Sequence, residues 1–153
     1  MKKFILLLII KLFLLTSCGY EIVNNVYDYQ FEIKDTQFSG DQNINNKLEK
    51  HFSRFKEKNN ATRFFDIKIN SQLIKKTTSK NSAGEDISYS IKILVDIEIT
   101  ENNKKINTAS FEKNINYNSL NSKFELRQYE KVLTNDLVEQ IILDLNMYLV
   151  SIK

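Results

Sequence analysis

The sequence predicts an α+β domain in which two helices pack on one face of a four-stranded, mostly antiparallel sheet, in the order β-α-β-β-β-α. Polar and apolar residues alternate through four stretches, which is the period of half-buried strands. Apolar residues recur at helical spacing after the first stretch and again after the fourth. Because each helix has one apolar stripe and the sheet has one apolar side, both helices are expected to cover that side.

The first strand is expected to begin at Tyr29, where apolar and polar residues start to alternate. Gly40 interrupts this alternation, and Asp41 is suited to cap the helix that follows. Asn59-Asn60 is expected to end that helix. Its apolar stripe consists of Ile44, Leu48, Phe52 and Phe55.

The second and third strands are predicted from Arg63 onward, with a loop around residues 81–84 between them. The apolar face of the second strand consists of Phe65, Ile67, Ile69 and Leu73. The third strand has the clearest pattern, with apolar residues at every second position: Ile87, Tyr89, Ile91, Ile93, Val95, Ile97 and Ile99. The residues between them are polar except Leu94. A sheet with one buried face and one solvent-exposed face indicates antiparallel pairing of its strands.

Asn102-Asn103 is suited to a hairpin turn, because asparagine tolerates positive φ angles. The fourth strand is predicted from Lys105 to Tyr117. Lys113 falls on its apolar side, which is compatible with a bulge or an edge position.

The last helix is predicted to start at a capping box formed by Ser122 and Glu125 and to run to about Ile152. Its expected stripe is Leu126, Tyr129, Leu133, Leu137, Ile141, Leu145 and Tyr148, joined by Val132, Val138, Ile142 and Leu149.

The first 17 residues are typical of a bacterial lipoprotein signal. Two lysines precede an apolar run from Phe4 to Leu15, and small residues then lead into Cys18, the single cysteine of the chain. The order Leu15-Thr16-Ser17-Cys18 is that of a lipobox. The thiol of Cys18 is expected to receive a diacylglycerol, after which a peptidase is expected to cleave between Ser17 and Cys18. The freed amine is then expected to be acylated, with palmitate as the expected acyl chain.

Other interpretations of this segment fit less well. The apolar run has 12 residues, whereas a membrane span needs about 20. No second cysteine is present to form a disulfide with Cys18. Gly19 in place of Asp favours the outer membrane over the inner one. The chain is therefore divided into a signal peptide (1–17), an acylated cysteine and tether (18–28) and one α+β domain (29–153).

The signal also accounts for the net charge of the chain. Of 22 basic residues, Lys2, Lys3 and Lys11 lie in the signal, whereas none of the 19 acidic residues does. The mature chain of 136 residues therefore has 19 basic and 19 acidic side chains. A nucleic-acid partner is not expected from this balance.

No pattern of catalytic residues is visible, and an enzyme is not expected. His51 borders a helix core and is interpreted as structural or surface-exposed, and the single cysteine is assigned to lipid. The three glycines form no phosphate loop. Asp96 and Glu98 are the nearest to a carboxylate pair, but they lie on a solvated strand face. No catalytic residue, cofactor or metal ligand is therefore predicted.

Two surfaces are candidates for binding. One is the polar face of the sheet, which is suited to contact with a water-lined protein wall as well as with bulk water. The other is a basic tip at the end of the second strand, formed by Lys75, Lys76 and Lys80. Lysine clusters bind phosphates as point charges, although an ordinary solvated turn would have the same composition.

The chain resembles the LptE family of lipopolysaccharide-assembly lipoproteins. The resemblance consists of Cys18-Gly19-Tyr20, Tyr117-Asn118, Glu125, Glu130 and the segment from Leu133 to Leu145 with its Val138-Glu139-Gln140-Ile141 core. It implies a lipoprotein on the periplasmic side of the outer membrane that sits in a large β-barrel partner like LptD and places lipopolysaccharide in the outer leaflet. Lys75, Lys76 and Lys80 are then candidates for binding lipopolysaccharide by position. The alternative is a generic outer-membrane lipoprotein that acts as a structural or secretion accessory.

Overall fold

The computed structural model describes residues 31–56 and 61–152. The strands are β1 (Phe31–Gly40), β2 (Arg63–Lys80), β3 (Asp86–Glu101) and β4 (Lys104–Asn118), and the helices are α1 (Gln42–Phe52) and α2 (Lys123–Ser151). A short 3₁₀ turn, Ser53–Phe55, follows α1. The predicted α+β order is confirmed. The predicted start at Tyr29, the signal and the tether with Ser17 and Cys18, and the predicted helix end at Asn59-Asn60 lie outside the described residues.

The sheet order is β1-β2-β3-β4. β1 and β2 are parallel, because α1 carries the chain back across the sheet between them. The other two pairs are antiparallel hairpins, so the sheet is mostly antiparallel as predicted. Neither helix within the described residues is long and apolar enough to cross a membrane.

Both helices pack on the same face of the sheet, as predicted. Asp41 caps α1 by accepting hydrogen bonds from the backbone N–H groups of Asn43 and Ile44, and Ser122 caps α2 at Glu125. The core combines one face of the sheet with one side of each helix. Its members include Ile33, Leu48, Phe52, Phe65, Ile67, Ile93, Val95, Ile99, Ile141, Leu145 and Leu149.

Two residues of the predicted sheet face are exposed rather than covered. Leu73 and Ile87 keep the expected phase but lie toward the hairpin end of β2 and β3, and both are exposed. The next covered position before Leu73 is polar. There Ser71 is fully buried and donates to the backbone oxygen of Asp41 and to Oδ1 of Asn45.

The stripe predicted for α2 is wrong at two positions. Tyr129 and Val132 are exposed, while the predicted residues from Leu133 to Leu149 are buried or partly buried. The helix has apolar residues on more than one side, since Phe124, Leu143 and Met147 are also exposed. Helical spacing alone therefore does not separate the inward from the outward positions here.

Lys113 occupies an edge position rather than a bulge. The pairing of β4 with β3 continues through Lys113, which lies opposite Ile93, and β4 is an outer strand of the sheet. The Lys113 Nζ is 2.7 Å from Oδ2 of Asp144 in α2. A charged residue on the covered face of an edge strand is thus paired with the helix above it, a device that also discourages edge-to-edge aggregation.

His51 links the two helices. It is buried, and its Nε2 lies 2.7 Å from Oδ1 of Asn146 in α2. The rings of Phe52 and Phe55 pack edge-on against it. Burial lowers the pKa of His51, and the hydrogen bond to Asn146 only partly opposes this effect. The histidine is structural.

Stability should therefore fall as the pH drops below the ordinary histidine pKa of 6.5. There the unfolded chain takes up a proton that folded His51 resists, so protonation favours unfolding until the pH passes the lowered pKa. Between pH 7.5 and pH 5, this effect removes at most about 2 kcal/mol. Urea unfolding of the native protein and of His51→Gln at the two pH values checks it. Equal losses in both proteins would contradict it.

Candidate functional site

The basic tip lies toward the β2–β3 hairpin, whose end projects beyond β4 and contains Lys80, whereas Lys75 and Lys76 lie on the part of β2 before it. The last pair between β3 and β4 joins Ser88 and Asn118, so residues 79–87 extend past the outer strand. Asn81 closes the turn, since its Oδ1 accepts hydrogen bonds from the backbone N–H groups of Ala83 and Glu85, at 3.0 and 2.9 Å. The hairpin is therefore ordered by its own contacts.

Lys75 faces the helices and is engaged there. Its Nζ contacts the carboxylate of Glu130 in α2 and lies 4.9 Å from the ring centroid of Tyr89. The Tyr117 hydroxyl donates to the same carboxylate at 2.8 Å. Burial and the Glu130 hydrogen bond raise the pKa of Tyr117. Glu130 thus joins β2, β4 and α2 through two donors.

The other two lysines of the tip have different surroundings. Lys76 lies opposite Ser90 on the open face of the sheet and forms no ion pair within residues 31–56 and 61–152. Lys80 Nζ lies 3.4 Å from Oδ1 of Asp86. The structure therefore places the three lysines on one strand end but on both of its faces, and two of them have acidic partners.

The opposite end of the sheet contains the first residue of β1, Phe31. The guanidinium of Arg63 donates two hydrogen bonds of 2.9 Å to Glu101 and a third to the backbone oxygen of Ile152. The hydrogen bond from Arg63 lowers the pKa of Glu101. Phe31, the first described residue, is the register partner of Arg63. At the rise of an extended strand, Arg63 at the start of β2 lies about 40 Å from Lys75 and about 55 Å from Lys80 at its end.

The open face of the sheet forms a shallow polar groove of about 800 Å³. Its polar lining consists of Gln37, Ser39, Lys68, Asn70, Asp96, Glu98, Thr108 and Ser110. Two ion pairs cross strands on this face, with Lys105 Nζ 2.7 Å from Glu98 and Lys92 Nζ 2.6 Å from Glu112. The hydrogen bond from Lys105 lowers the pKa of Glu98, the opposite of the shift expected for a general acid.

Sequence reasoning missed the apolar side chains beside the tip. Ile87 was placed in the core, and no pattern singled out Leu120 or Phe124, which lie in the connection to α2 and in its first turn. All three are exposed. Nothing in the local periodicity indicates them, because they come from different segments that meet only in the fold.

The described residues form a small two-layer α+β domain that offers a polar sheet face and a basic tip to partners. The same fold occurs in bacterial lipoproteins of known structure. Rare lipoprotein B from Shewanella oneidensis is 13% identical, with a TM-score of 0.55 over 76% of this chain and 94% of its own. A minor lipoprotein from Acinetobacter baumannii is 10% identical, with a TM-score of 0.55 over 77% and 91%.

An uncharacterized lipoprotein B from Nitrosomonas europaea is 13% identical, with a TM-score of 0.53 over 76% of this chain and 82% of its own. At these identities the likeness concerns the fold. No family model and no curated protein matches the chain.

Proposed function

We propose that this chain is an outer-membrane lipoprotein of the LptE family that works with a large β-barrel partner like LptD to place lipopolysaccharide in the outer leaflet. The observation that carries the proposal is a fold shared with three lipoproteins, one of them rare lipoprotein B, in a chain whose own sequence contains a lipobox ending at Cys18. The lipid on Cys18 holds the protein on the periplasmic side of the membrane.

The distribution of polar groups supports this role. A domain seated in a water-filled barrel needs a surface that tolerates water and a polar wall. Most side chains that line the groove are polar, and two ion pairs cross strands on the same face of the sheet. β1 begins at Phe31, the register partner of Arg63, at the end of the sheet away from the β2–β3 hairpin.

We further propose that the protein binds and positions lipopolysaccharide and has no catalytic activity of its own. The phosphates of lipopolysaccharide would contact Lys75, Lys76 and Lys80. Of these, Lys76 is exposed and forms no ion pair among the described residues. Lys75 and Lys80 would each leave the carboxylate with which they are paired and form an ion pair with a phosphate instead. Such an exchange requires little rearrangement, since both side chains are substantially exposed.

One observation favours the second candidate function, a structural or secretion accessory without a lipid substrate. Glu130 and Asp86 already offset the charge of Lys75 and Lys80, so the tip attracts phosphates less than three unpaired lysines would. Under this alternative the anchor and the fold are retained, but neither lipopolysaccharide nor the barrel is required.

Affinity purification of the acylated protein in mild detergent separates these functions. We expect a β-barrel protein and lipopolysaccharide to co-purify with it. Cys18→Ser, the matched control, should lose the palmitate label and the membrane fraction almost completely, because each buried methylene of an acyl chain contributes about 0.8 kcal/mol. If the acylated protein purifies without a β-barrel protein, the result favours the accessory function. A Cys18→Ser protein that stays in the membrane fraction would contradict the anchor.

A further inference from the structure

The outer side of α2 carries a continuous row of residues, all of them exposed. Successive members are three or four positions apart, and residues at that spacing are neighbours on a helix surface, with Cβ atoms about 5–6 Å apart. The row spans residues 129–150, about 30 Å along the helix axis. We call it the outer stripe, and it consists of Tyr129, Val132, Asp136, Glu139, Leu143, Met147 and Val150. The helix itself therefore brings these side chains together.

Apolar side chains form the two ends of the outer stripe. Val132 is 54% exposed, Leu143 62% and Met147 64%. The opposite side of α2 is also apolar, and it is buried in the core. A helix that is apolar on all sides is normally covered on all sides. The exposed ends of the outer stripe therefore indicate a surface that another molecule covers.

Two acidic residues, Asp136 and Glu139, lie in the middle of the outer stripe. Neither forms an ion pair within residues 31–56 and 61–152. Arg54 and Glu139 both lie within electrostatic reach of His51, but they are not paired with each other. The helical neighbours of the two acids at spacings of three and four are, besides each other, Val132, Leu133, Asn135, Gln140, Ile142 and Leu143. None of these neighbours is basic.

The acidic residues of α2 that reach the sheet have different surroundings. Glu130 contacts Lys75 of β2, and Asp144 is paired with Lys113 of β4 at 2.7 Å. The domain thus supplies cations to the carboxylates on the inner side of the helix and leaves those in the middle of the outer stripe to solvent. The outer stripe consequently combines two apolar ends with an uncompensated negative centre.

This negative centre determines which occupant fits the outer stripe. An anionic lipid surface repels it, since helices that lie on such surfaces have basic polar faces. A second copy docked through the same stripe would use the same patch on both sides, so the acidic centres of the two helices would meet and repel each other. A partner with basic residues at its own centre attracts both carboxylates. The outer stripe is therefore complementary to a basic protein partner.

We propose that the outer stripe docks a helix of another protein, in which Arg or Lys residues lie opposite Asp136 and Glu139 and apolar residues lie on either side. A helix fits because the spacing of the stripe is that of a coiled-coil seam. The apolar ends supply buried surface, and the acidic centre fixes the register and rejects acidic partners. This inference goes beyond the proposed function, since it requires neither lipopolysaccharide nor the β-barrel, and the polar groove lies on the other face of the sheet.

Two synthetic helical peptides of about three heptads test this surface. Both have Leu at the seam positions, with a central pair of Arg in one peptide and a central pair of Glu in the other. Fluorescence anisotropy measures their binding to the purified full-length protein in one fixed mild detergent. We expect the Arg peptide to bind the native protein about tenfold more tightly than the Glu peptide. The double variant Asp136→Lys/Glu139→Lys should reverse this preference.

The apolar ends of the outer stripe are tested by the double variant Leu143→Ser/Met147→Ser. It should weaken binding of the Arg peptide about tenfold, because it removes the apolar surface at one end. The matched control is Leu120→Ser/Phe124→Ser, which alters exposed apolar residues outside the stripe and should bind the Arg peptide like the native protein. Unfolding by urea checks that all three double variants are folded.

Several outcomes would overturn this inference. They are no binding of the Arg peptide by the native protein, equal binding of the two peptides, and an equal loss in the stripe variant and the matched control. Sedimentation equilibrium adds another: a native dimer that Leu143→Ser/Met147→Ser converts to a monomer would mean that a second copy covers the stripe. A native protein that binds the Arg peptide but co-purifies with no β-barrel protein supports this inference while it contradicts the proposed function.

Discussion

Gly40→Ala is expected to lower the free energy of unfolding by about 4 kcal/mol, the upper end of single-substitution effects. Gly40 ends β1 with a φ of +93°, and a Cβ atom at this position would lie 1.8 Å from the backbone oxygen of Ser71. That oxygen accepts the N–H of Asp41, and Ser71 is itself fully buried. Neither backbone can move away without breaking the β1–β2 pairing. Urea unfolding measures the loss.

Gly84→Ala is the matched control for this prediction. Gly84 also has a positive φ, +83°, but nothing lies within 4 Å of the Cβ position there. The substitution should therefore lower the free energy of unfolding by only about 1 kcal/mol, the cost of holding an alanine in the left-handed backbone conformation. Similar losses in the two variants would show that the φ angle, and not the close approach to Ser71, determines the role of Gly40.

Leu145→Ala is expected to destabilise the protein by about 2–5 kcal/mol, because it removes a fully buried side chain and leaves a cavity between α2 and the sheet. Met147→Ala, two residues further along the same helix, should cost less than about 0.5 kcal/mol, since Met147 is 64% exposed. Urea unfolding of both variants measures the difference. A small effect at Leu145 together with a large one at Met147 would mean that the other side of α2 faces the core.

Strand periodicity predicted most of the sheet. In β3 every second residue from Ile91 to Ile99 is apolar, and these five residues are buried as expected. The pattern fails near the hairpin, where Ile87 keeps its phase but is exposed. Alternation identifies which residues share a face, whereas coverage depends on how far the helices extend along that face.

Helical periodicity was less informative for α2. Apolar residues occur on several sides of this helix, so Tyr129 and Val132 were assigned to the core together with Leu133, and only Leu133 is buried. An apolar side chain favours burial wherever the chain permits it. When a helix has more such residues than one face can cover, packing decides which of them are enclosed.

The sequence by itself determined the elements and their order, because each element depends on residues close together in the chain. It also predicted the shared face of the two helices, and the lipobox at Cys18 stays a prediction. Only the tertiary structure decided the partners of the tip lysines and which apolar side chains near the hairpin stay exposed. Lys75 and Glu130 are 55 residues apart, and the backbone oxygen of Ile87 accepts a hydrogen bond from Ser119 in a separate segment. Such contacts depend on where α2 rests on the sheet, which is set by the packing of the whole core rather than by any local pattern.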